Sequence, residues 1–85
     1  MSNDNNLQDA KVKIGTKQTL KMVEQDLAIE VYVALDADAK LISRITNLCR
    51  KKAVKITEVA TMKELGKVCG IDVGAAMVAV VNEDS

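Results

Sequence analysis

A single-domain α/β/α sandwich, three layers built around one small sheet, is the fold this sequence predicts. Apolar stripes at helical spacing alternate with short β-rich apolar runs along the whole chain. With 85 residues, there is room for one hydrophobic core and not two. Apolar residues make up 48%, enough to fill that core and far more than a disordered chain carries. No linker, repeat or low-complexity tract divides the elements. Residues 7–81 therefore read as one domain, with 1–6 as an N-terminal tail and 82–85 as a C-terminal tail. The sheet reads as small and mixed, with its strand order left open.

The elements follow in order. Residues 7–12 read as a short polar helix or helical turn, and Lys13 and Ile14 lead into the break at Gly15. From Thr16, the residues Leu20, Val23 and Leu27 form one helical stripe. Residues 30–35 (E-V-Y-V-A-L) read as a buried strand. Asp38 is a suitable N-cap for the next helix. In that helix Leu41, Ile45, Leu48 and Cys49 make the buried stripe. Lys51 and Lys52 suit its negative C-terminal end. Residues 54–59 read as a second strand. Thr61 and Glu64 make a T-x-x-E capping box opening a helix that contains Leu65 and Val68 and closes at Gly70. Residues 77–81 are a third buried strand.

Composition removes most enzymology. There is no His, Trp, Phe or Pro, and Tyr32 is the one aromatic residue. Without His the commonest general base and metal ligand is missing, and no Ser/His or Cys/His pair can be assembled. Cys49 and Cys69 are twenty residues apart, with no C-x-x-C and no further sulfur to complete a zinc set. Both sit in apolar helical patterns and read as small, reduced core residues. No catalytic residue, metal or cofactor is expected. No apolar run reaches 18 residues and residues 1–6 do not resemble a signal peptide, so a soluble cytoplasmic protein away from membranes is expected.

Charge is balanced overall, with 12 basic and 12 acidic side chains, but unevenly distributed. Setting aside Asp4, Glu83 and Asp84 in the tails leaves 12 basic against 9 acidic side chains in residues 7–81. Segment 11–21 holds Lys11, Lys13, Lys17 and Lys21 and no acid. Lys17, Gln18 and Lys21 cluster near a helix N-terminus, with the apolar stripe facing away. Free backbone N–H groups there suit phosphate, and Lys and Gln donate to purine edges. The ordinary alternative is a solvated helix face. A second basic run, Arg50, Lys51, Lys52 and Lys55, reads as such a face. Residues 70–76 (G-I-D-V-G-A-A) form an unusually apolar loop. Ile71 and Val73 either enter the core or pack on an unstacked base.

The run G-T-K-Q-T-L-K at residues 15–21 resembles the helix start of the kink-turn-binding ribosomal proteins, the L-seven-Ae and L-thirty-e group. The run K-E-L-G-K-V-C-G-I-D-V-G-A-A at 63–76 is similar to the same family's second signature. The A-x-D-A-D segment at 34–38 falls at the matching place between them. The resemblance covers residues 7–81 and is nearest to the small bacterial YbxF-type paralogues. Two motifs in the right order and at the right distance make it specific.

The resemblance implies a non-enzymatic α/β/α protein that binds kink-turns, sharply bent internal loops built on tandem sheared G·A pairs. It implies that Gly15, Thr16, Lys17, Gln18 and Lys21 contact the G·A pairs and adjoining backbone. Lys63 would meet a phosphate. Ile71, Asp72 and Val73 would cover an extruded nucleotide, with Asp38 at that base. Two departures stand out: Lys17-Gln18 replaces the Asn-Glu of several relatives, and Ala39 replaces a frequent Pro. The expected partner is a structured RNA such as ribosomal RNA, a riboswitch or an RNase P-type RNA, bound by a monomer, with the ribosome a further possible partner. The alternative is a protein-interaction module on the same scaffold, which would not need the acid-free lysine segment 11–21.

Overall fold

The computed structural model describes residues 11–81. Within them run β1 (Val12–Ile14), α1 (Thr16–Glu24), β2 (Ala28–Ala34), α2 (Ala39–Lys52), β3 (Lys55–Val59), α3 (Met62–Cys69) and β4 (Met77–Val81). The four strands form one mixed sheet in the order β1-β4-β2-β3. Strands β2 and β3 are parallel, while β4 pairs antiparallel with both β1 and β2. The α/β/α sandwich and its mixed sheet are as the sequence predicts.

The two faces of the sheet carry separate cores. On one, Met22 and Val23 of α1 and Ile45 and Cys49 of α2 pack against Val31, Val33, Met77 and Ala79. On the other, Leu65 and Cys69 of α3 meet Ala34 and Val78, with Val12, Tyr32, Val59 and Ile71 around them. Alternation along β2 and β4 feeds both layers, as a strand's period of two requires. Both cysteines are buried free thiols, and burial pushes both thiol pKa values up. They stay protonated and behave as small hydrophobes.

Several expectations are corrected. Val12 begins an antiparallel edge strand, not the end of a helical turn; residues 7–10 of that expected turn lie outside the described residues. The pairing of Val12 with Val80 and Ile14 with Val78 is long-range, and local sequence does not show it. In α1 the buried positions are Thr19, Met22 and Val23. Leu20 is half-buried, and Leu27 lies beyond the helix, exposed. The helix stops at Glu24 because Asp26 takes a left-handed conformation (φ 61°) and turns the chain into β2. Strand β2 starts at Ala28 and ends before Leu35, which is 49% exposed.

All three helices end the same way. Asp26, Ala53 and Gly70 have φ of 61°, 60° and 78°. The next amide in each case reaches back to a carbonyl of the last turn: Leu27 to Met22 at 2.9 Å, Val54 to Cys49 at 2.8 Å and Ile71 to Gly66 at 3.0 Å. This is the Schellman closure, which satisfies orphaned carbonyls.

Candidate nucleic-acid interface

Topology gathers the expected site residues at one end of the sheet. Because β1, β2 and β3 run alike and β4 runs against them, the C-terminal ends of the first three share an edge with the start of β4. Ligands of open α/β sheets favour that edge. Gly15, at the exit of β1, donates its N–H to the Met77 carbonyl at 3.0 Å, and Ala34, at the exit of β2, donates to Ala76 at 2.8 Å. The start of α1, the β2–α2 loop and loop 70–76 therefore lie side by side.

Gly15 has φ 113° and ψ 158°, outside what side-chain-bearing residues adopt readily. No heavy atom lies within 4 Å of where its Cβ would be. Conformation, not space, requires glycine there, and the backbone is left open to an approaching ligand. The first helical bond of α1 runs from Thr19 N–H to the Gly15 carbonyl, 2.9 Å. The preceding N–H groups, of Thr16, Lys17 and Gln18, have no helical acceptor. No side chain caps this end and no acid lies in the first turn. Lys17, Gln18 and Lys21 are exposed and Thr16 half-buried. Leu20, expected to face away from the lysines, instead lines a groove together with Lys17 and Lys21.

Asp38 caps α2, accepting from Lys40 N–H at 2.8 Å through Oδ1. Its carboxylate is thus held at the site edge by a local bond. Thr61 caps α3, its hydroxyl accepting from Glu64 N–H at 3.0 Å. Lys63 stands exposed two residues after this cap. Sequence reasoning missed Asp36, whose Oδ1 accepts from Met62 N–H at 2.8 Å and ties the β2–α2 loop to α3. Met62 in turn accepts from Ala75 N–H at 3.0 Å through its carbonyl. One residue thus joins two loops.

Loop 70–76 divides the two apolar candidates. Ile71 joins the α3 core, whereas Val73 is 69% exposed. Asp72 is exposed beside it. The loop lies so close on α3 that a Cβ at Gly66 would overlap the Val73 carbonyl oxygen. Gly74 is packed against Met62. Val73 is therefore presented to solvent by a backbone clamped from below. Leu35 and Met62, both partly exposed, stand at the same end of the sheet.

The second basic run lies at the opposite end, where α2 finishes and β3 begins. There Lys52 pairs with Asp26 at 3.2 Å, and Lys55 with Glu30 at 3.9 Å. These are solvated surface pairs of small energetic weight. Among the described residues no group of His, Cys, Asp and Glu could hold a metal ion, and no helix is long and apolar enough to cross a membrane.

Comparison with known proteins is consistent with this geometry. The chain is 48% identical over 81 residues to an RNA-binding protein of Bacillus pumilus, covering 95% of this chain and 99% of that one. It is 46% identical, with the same coverage, to the RNA-binding protein YbxF of Geobacillus stearothermophilus. Among solved structures, the 15.5kD RNA binding protein of Giardia lamblia superposes with a TM-score of 0.80 at 26% identity. That match covers 89% of this chain and 63% of the longer Giardia protein. Residues 4–85 match the family model described as "Ribosomal protein L7Ae/L30e/S12e/Gadd45 family". The chain belongs to the ribosomal protein L7Ae/L30e/S12e/Gadd45 family.

Proposed function

We propose that this protein binds structured RNA at the C-terminal end of its sheet and holds a kink-turn in its bent form. The observation that carries the reading is the convergence there of an uncapped, acid-free helix start, exposed Lys17, Gln18, Lys21 and Lys63, and an outward-facing Val73. Three roles follow. The free N–H groups and lysines neutralise two backbones brought close by the bend. Lys17 and Gln18 donate to the purine edges of the sheared G·A pairs. Val73, with Asp72 exposed next to it, covers the extruded nucleotide beside the Asp38 carboxylate, while Ile71, packed into the α3 core, anchors the loop instead of reaching the base. Binding selects the folded junction from an ensemble of bent and open forms. The protein works without a catalytic step, in the cytoplasm and as a monomer.

The test compares two RNAs in solution. One contains the tandem G·A pairs; the other replaces them with Watson–Crick pairs and stays straight. Tight binding to the first and only salt-sensitive, weak binding to the second is expected. Equal affinity for both would leave a general RNA-binding surface and remove the kink-turn from the reading.

A further inference from the structure

Between α1 and α2 runs an open groove of about 560 Å³, lined by Lys17, Leu20, Lys21 and Glu24 on one side and Arg44 and Leu48 on the other. Both helices begin at the same end of the sheet. Lys21 and Arg44 each stand five residues beyond the first residue of their helix, α1 at Thr16 and α2 at Ala39, and so at similar depth. None of the groove's three cations forms an ion pair within the described residues, whereas Lys52 and Lys55 at the far end do. Lys17 belongs both to this groove and to the helix start, so the two surfaces are continuous.

We propose that the α1–α2 groove seats the sugar–phosphate backbone of an RNA arm flanking the bent junction, with Arg44 as an additional phosphate contact on α2. The proposal rests on the RNA-binding reading above and extends its footprint to a second helix. A guanidinium opposite two ammonium groups can hold phosphate oxygens in a fork, while Leu20 and Leu48 form an apolar floor. Glu24 lies one turn beyond Lys21, and its carboxylate repels phosphate. The backbone therefore enters past Lys17, lies between Lys21 and Arg44, and leaves before Glu24.

The experiment measures kink-turn RNA affinity against salt for the wild-type chain, Arg44→Ala, Arg44→Lys and Glu24→Gln, with long and shortened flanking arms. On long arms Arg44→Ala should weaken binding about three- to tenfold and lower the salt slope by about one, as loss of one phosphate contact does. Arg44→Lys, which keeps the charge and loses the fork, should restore the salt slope but only part of the affinity. Glu24→Gln should tighten binding, and the Arg44→Ala deficit should vanish when the arm is too short to reach the groove. Arg44 and Glu24 are exposed, so melting temperatures should match. If wild type binds the kink-turn while Arg44→Ala shows the same affinity and slope, the groove is not an RNA site. A deficit that persists on short arms would likewise overturn the contact. If wild type fails to prefer a kink-turn over straight duplex, the kink-turn reading itself falls, and the groove proposal with it.

Discussion

Lys17 and Gln18 owe their interest to what they do not touch. Both are exposed, at a helix end with no side-chain cap. Replacing either with Ala should cost roughly 1–3 kcal/mol of kink-turn affinity, the worth of a base-edge contact. Stability should not move. A lower melting temperature with unchanged affinity would make them structural. Val73 gives a sharper test because it is 69% exposed on a clamped loop. Val73→Asp should change stability by no more than about 0.5 kcal/mol, as exposed substitutions do. RNA binding, followed by gel shift, should be abolished, because a carboxylate would then face a nucleobase and nearby phosphates. An unfolded Val73→Asp protein would contradict the exposed placement. At this scale, legibility followed the range of each bond. Asp38 and Thr61 were readable as caps because their partners lie two and three residues away. Asp36 was not, because Met62 lies 26 residues on.

The helices were largely legible because their stripes and caps are local. Strand β1 was not, since three residues carry little pattern and their partners sit in β4 at the other end of the described chain. Two helix ends are legible, that of α3 from Gly70 and that of α2 from Lys51 and Lys52, whereas the left-handed caps at Ala53 and Asp26 carry no glycine to announce them. Ala53 therefore holds a conformation that its Cβ disfavours by about 1 kcal/mol. Ala53→Gly should recover that strain in the folded state, partly offset by the greater freedom of the unfolded chain. A net gain of up to about 0.5 kcal/mol is expected as a higher urea midpoint at unchanged slope. A lower midpoint would show that the methyl group at Ala53 makes a contact worth more than the strain.

Across the whole molecule the net charge is zero, so attraction to RNA rests on local groups of cations and not on the total. At the far end Lys52 and Lys55 pair with Asp26 and Glu30, while Arg50 and Lys51 form no ion pair among the described residues. The proposed RNA edge holds Lys17, Lys21 and Lys63, likewise unpaired among the described residues, with the carboxylates of Asp38 and Asp72 nearby. Attraction of phosphate is therefore local, through the lysines and free N–H groups at the start of α1. The salt dependence should be moderate, with log affinity falling against log salt at a slope of about −2 to −4, as three to five neutralised phosphates give. Lys63→Ala should flatten that slope by about one while preserving the order of preference among junction sequences. A salt-independent affinity would remove phosphate contacts from the mechanism. The clustering of the site was only partly visible in sequence. Motif order suggested it, but the antiparallel insertion of β4 between β1 and β2 is what brings residues 15 and 76 to one edge.

That insertion also places Gly15 at the end of the sheet's shortest strand, three residues on an outer edge. Elements with so few partners open to solvent more often than the sheet centre does. A ligand that grips the start of α1 binds only while β1 is docked, and mass action then holds it shut. RNA should therefore slow amide hydrogen exchange along Val12–Ile14, including at positions it never touches. Part of the recognition energy would appear as order in the margin of the sheet.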